Sequence, residues 1–100
     1  MRDLTDLMTE ERVIDTDYGP YRLKYCFHRT REGRWTYYGV SVAQYGRNGE
    51  EERLRDREVI PAFSEDYQET QDFWEMLIRE EVFPVHLFSI ADDWNYPEDL

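Results

Sequence analysis

Cysteine is nearly missing from this 100-residue chain: Cys26 stands alone. That excludes an internal disulfide and a multi-Cys zinc site, and suits a reducing compartment. Long apolar runs are missing too. Nothing approaches the ~20 consecutive apolar residues of a membrane span, and the opening stretch Met1-Arg2-Asp3-Leu4-Thr5-Asp6-Leu7 carries acids where a signal peptide needs an apolar core. A cytoplasmic location is the expectation. Positive charge is scarce in one part only. Residues 1–63 hold 11 Lys/Arg against 12 Asp/Glu, whereas residues 64–100 hold Arg79 alone against 11 acids, so the formal charge of −11 lies almost wholly in the C-terminal part. Such a chain lacks the net cationic surface that duplex DNA or an anionic membrane demands.

Aromatic side chains are abundant. They make up 16% of the residues, including 8 Tyr, 5 Phe and 3 Trp, which is far more ring surface than a disordered acidic chain carries. One hundred residues suffice for one domain with one core. Tyr21, Leu23, Tyr25 and Phe27 alternate with Arg22, Lys24, Cys26 and His28, the period of a strand with one buried face. After a turn at Arg31-Glu32-Gly33, residues 34–45 form a second strand, with Tyr38, Val40 and Val42 on one face and Trp35, Tyr37, Ser41 and Tyr45 on the other. Asn48-Gly49 marks the next tight turn. The strand that follows, residues 51–60, sets Arg53, Arg55 and Arg57 on one face and puts Asp56 and Glu58 among the core positions. It reads as an edge strand that overhangs the core or is reset by a bulge. Residues 11–16 form a short strand ahead of the turn at Asp17-Tyr18-Gly19-Pro20, and residues 1–10, which show no period, read as a flexible arm.

At Ser64 the period changes from two to between three and four. Ser64 is placed to cap a helix, acids follow it, and Tyr67, Thr70, Trp74, Leu77 and Ile78 form a stripe. A second helix is expected from Pro84 through Trp94, with Leu87, Ile90, Ala91 and Trp94 on one side. Strands first and helices second predict an α+β domain over residues 11–95: a three- to four-stranded antiparallel meander followed by two helices packed on one face, with a frayed acidic tail over 96–100.

Three segments, Tyr21-Arg22-Leu23-Lys24-Tyr25-Cys26, Tyr38-Gly39-Val40-Ser41-Val42, and Val82-Phe83-Pro84-Val85-His86-Leu87 running on to Asp92-Asp93-Trp94, resemble in this order a family of small uncharacterised bacterial proteins, domain of unknown function 6514. The likeness spans residues 11–95. Phe83 departs from it, standing where the family has Thr ahead of Pro84 and so removing a side-chain cap. The resemblance implies a bacterial, cytoplasmic setting and one compact domain. It implies no catalytic residues.

No constellation for chemistry emerges. The acids lack calcium-loop spacing and the two histidines lie far apart, so no metal or cofactor is expected. His86, Ser89 and Asp93 share a helix face but in the wrong order for a triad, and neither a Gly-rich phosphate loop nor a nucleophile elbow is present. Cys26, flanked on its own face by Lys24 and His28, is the one candidate reactive thiol. Surfaces are more informative. If the apolar strand faces meet the helices, the opposite face gathers Arg22, Lys24, Trp35, Tyr37, Tyr45, Arg53, Arg55 and Arg57, a candidate interaction surface. Glu65, Asp66, Glu69, Asp72 and Glu75 form a candidate acidic docking surface. The expectation is a non-catalytic protein acting by contact with an unidentified protein, or with a second copy as a homodimer. The alternative is a binder of single-stranded nucleic acid or another anionic ligand through the Arg/aromatic sheet face.

Overall fold

The computed structural model describes residues 2–95. Four strands come first, β1 (Arg2–Thr16), β2 (Gly19–Glu32), β3 (Trp35–Asn48) and β4 (Glu51–Ser64). Helix α1 (Tyr67–Arg79), a single 3-10 turn (Pro84–His86) and helix α2 (Leu87–Asn95) follow. The strands pair antiparallel in the order β1-β2-β3-β4, a plain meander with both helices on one face, as the change of period predicts. The tail expected over 96–100 lies outside the described residues.

Alternation decides which face is covered. Leu23, Tyr25 and Phe27 of β2 and Val40 and Val42 of β3 are fully buried beneath Phe73, Trp74 and Leu77 of α1 and Leu87 of α2. Rings lock the layers together: Phe63 stacks on Phe73 with centroids 4.3 Å apart, and Trp94 meets Phe73 edge-on at 5.4 Å. The buried Tyr25 hydroxyl donates to the Val82 carbonyl at 3.1 Å, tying the sheet to the segment between the helices.

Local chemistry sets the helix ends, with one shift from expectation. The cap of α1 is Asp66, whose carboxylate accepts the Glu69 N–H at 3.1 Å; Ser64 Oγ instead accepts the Asp66 N–H at 3.0 Å, one step before the cap. At the other end Val82 N–H bonds Leu77 O and Glu81 N–H bonds Ile78 O, the paired closure that needs a left-handed residue. Glu81 takes that role with φ of 51°, a position usually given to glycine. Phe83, with no side-chain cap bond, precedes Pro84 at the start of the 3-10 turn.

Two expectations about the strands need correction. Residues 2–10 are not an arm: they continue β1, paired with β2 as far as Arg2 opposite Glu32. A bulge at Leu7 interrupts the register between Asp6 and Met8, which explains the missing period. Arg53, Arg55 and Arg57 do not share a face. In β4 the register shifts between Gln44/Asp56 and Tyr45/Leu54, so the extra residue, Arg55, separates Arg57 on the helix-free face from Arg53 on the other. Asp56 and Glu58, in register with Ile60, stand opposite Gln44 and Val42 on the helix side of this edge strand, partly exposed.

Candidate functional site

The helix-free face is built from rows of side chains that register partners share. Across the strands the rows read Val13, Arg22, Tyr45, Leu54; then Glu11, Lys24, Ala43, Arg57; then Thr9, Cys26, Ser41, Val59; then Asp6, His28, Gly39. The bulge at Leu7 matters here. Asp6 and Thr9 are an odd number of residues apart and would point to opposite faces of a regular strand, yet both reach this one.

The floor of the face is small. Gly39, Ser41 and Ala43 occupy successive outward positions of β3, beside Cys26 on β2, while longer side chains stand around them. The result is a recess of about 180 Å³ whose walls include Leu4 and Asp6 of β1 and Leu54, Arg57 and Val59 of β4. Residues of both outer strands line one recess, so this face of the sheet is concave. Gly39 lets β4 fold inward: a Cβ there would lie 2.1 Å from the Ile60 carbonyl oxygen, 2.6 Å from that of Pro61 and 2.6 Å from the His28 ring. Thr30 Oγ1 donates to Pro61 O at 2.9 Å and holds the fold-over in place. Pro61 has no N–H to contribute to a ladder, and it sits on an edge strand within an irregular stretch of register.

His28 is the unusual group in the recess. It is 1% exposed, and both ring nitrogens are out of reach of solvent. Burial lowers its pKa; interaction with the Val40 backbone and, after it, the Asp6 charge oppose that shift, and Arg57 reinforces it. A buried imidazole so weakly partnered is an energetic liability. Cys26 is 8% exposed on the same wall, and its thiol meets the Thr9 hydroxyl at 3.7 Å.

The candidate cations fare differently from one another. Arg22 is committed: it bonds Glu52 at 2.8 Å, pairs with Glu11 and lies 4.2 Å over the Tyr45 ring. The hydrogen bond to Arg22 holds the Glu52 carboxyl below the usual carboxylate range. Arg53 pairs with Glu51 at 2.9 Å, and Arg55 donates to Arg47 O at 3.5 Å. Lys24 and Arg57 alone of the set line the recess, and neither forms an ion pair with a described carboxylate. Tyr45 joins its wall, whereas Trp35 and Tyr37 lie toward the far end of the sheet.

The acidic surface has no comparable feature. Glu65, Asp66, Glu69, Asp72 and Glu75 are exposed, and several are already engaged: Asp66 in the cap, Asp72 with Gln68 at 2.9 Å, Glu75 with Gln71 at 3.5 Å. Ser89 Oγ donates to the His86 carbonyl rather than to its ring. Among the described residues no group of three His, Cys, Asp or Glu side chains is placed to hold a metal, and no helix is long and apolar enough to cross a membrane.

A family model described as a family of unknown function (DUF6514) matches residues 5–96. The chain belongs to this family. The match begins inside β1, so the family's domain takes in the strand that brings Asp6 and Thr9 to the recess. No catalytic family is identified, and neither a curated protein nor a solved structure matches.

Sequence reasoning set Lys24, Cys26 and Arg57 on the correct face but missed Asp6, the floor and the importance of His28. The legible trace of the floor was the alternation Gly39-x-Ser41-x-Ala43: three small residues at every second position of a central strand leave a face with nothing to fill it.

Proposed function

We propose that this protein is a non-catalytic, cytoplasmic binding protein whose working surface is the helix-free face of its sheet, and that it receives an anionic ligand there. The observation that carries this reading is the recess itself, where Lys24 and Arg57 stand without an ion-pair partner among the described residues, on the same face as the buried His28. Cations gathered around an apolar floor without counter-ions favour an anion from outside. The acids on α1, by contrast, are spent on a cap and on neighbours one turn away, as on an ordinary solvated helix surface.

Fluorescence or calorimetric titration with small carboxylates, inorganic phosphate and a short oligothymidine tests the reading at low salt. At least one probe is expected to bind the wild type, and Lys24→Glu/Arg57→Glu to abolish that binding. Arg53→Glu, on the other face, and Glu69→Lys/Asp72→Lys should leave it intact. Sensitivity to the α1 substitutions instead would move the working surface to the helices and make protein contact there the function.

A further inference from the structure

We infer that the recess is a site for a compact monocarboxylate with an apolar body, about the size of benzoate, its carboxylate held between Lys24 and Arg57 above Ala43 and its far end over Ser41. The inference rests on the anion-receiving reading of this face and names the ligand class for it.

Size comes first. The recess holds about 180 Å³, and a protein cavity of about 150 Å³ accommodates benzene. One ring with a carboxylate fits an opening of this kind; a nucleotide does not. Placement of charge comes next. Lys24, Ala43 and Arg57 are register partners in one row, so two cations flank a methyl group with no acid between them. Glu11 ends the same row, but its carboxylate is engaged by Arg22. With Asp6 on the opposite wall and His28 uncharged, the lining carries one surplus positive charge, the complement of a monoanion rather than of a phosphate dianion or a polyanion. The walls between are apolar, from Leu54, Val59 and Leu4.

The test is a nuclear magnetic resonance titration of the full chain with benzoate, 4-hydroxybenzoate and inorganic phosphate. Saturable amide shifts confined to the strands around Cys26, Ser41 and Ala43 are expected with both carboxylates. Lys24→Met/Arg57→Met should weaken both by about tenfold or more, the scale of a lost charge-assisted hydrogen bond. Ala43→Leu fills the floor while leaving every charge in place, and it must block both carboxylates with an unchanged thermal midpoint. No saturable shift with either carboxylate, or shifts indifferent to both the Lys24/Arg57 and Ala43 substitutions, overturns the inference. If phosphate or the oligothymidine then binds in a Lys24- and Arg57-dependent way, the anion-receiving reading survives its loss; if nothing does, both fall.

Discussion

The two faces of the sheet are made from the same strands by opposite rules. On the helix side, β2 and β3 project Leu23, Tyr25, Phe27, Val40 and Val42, large apolar groups that helices cover and that no charge interrupts at the centre. On the other side the same strands project Lys24, Cys26, His28, Gly39, Ser41 and Ala43, small in the middle and ionisable around it. The first face is filled and the second is left hollow. Yet His28, Thr30 and Ser41 on the hollow side are nearly as buried as the core, because the bulged edge strands curl over them rather than because a layer covers them. A buried residue on this sheet therefore has two different meanings: packed against helices, or sunk in a recess.

The comparison breaks most visibly if a core position is emptied or the curl is prevented. Leu77→Ala on the helix side should cost about 2–5 kcal/mol by chemical denaturation, the range for a deleted core leucine. Gly39→Ala should cost about 1–3 kcal/mol although it adds one methyl to the hollow side, because that methyl has only backbone and the His28 ring to enter. A cost near zero would show that β4 does not fold over the recess.

Acid should act on the hollow side. Because burial lowers the folded-state pKa of His28 below the unfolded value of about 6.5, the unfolded chain binds the proton more readily. Its contribution to stability is thus full above about pH 6.5 and declines as pH falls through and below that value. Thermal midpoints measured across this range should fall with acid in the wild type, and less steeply in His28→Leu. Identical slopes would remove His28 as the cause.

Smaller effects sharpen the picture of the helix side and the rim. Glu81→Gly should stabilise by about 0.5–1 kcal/mol, since glycine accepts the left-handed φ that Glu81 is made to adopt. Arg22→Met should lower the thermal midpoint slightly at low salt and still less at high salt, because its carboxylate partners are solvent-facing.

Much of this was legible in the sequence. The period-two runs of β2 and β3 and the switch to helical period at residue 64 dictated the meander, the helices and the helix-covered face, because a strand or helix with one apolar side has only one stable way to bury it. The N-terminal half of the first strand and the Arg triplet were not legible, since each contains a bulge. One extra residue inverts the facing of everything beyond it, and a residue-by-residue alternation carries no mark of where the extra residue falls.

By itself, then, the sequence determined which strand face is core, that acid gathers on the helices, and that a single thiol sits between Lys24 and His28. The tertiary structure decided that Asp6 joins His28, that Arg53 leaves the face which Arg57 keeps, and that a row of small side chains becomes a recess. Alternation is a local property written in every pair of residues. Curvature and register belong to strands only as they pair, and they are set by where the bulges and the close approach at Gly39 allow the edges to bend.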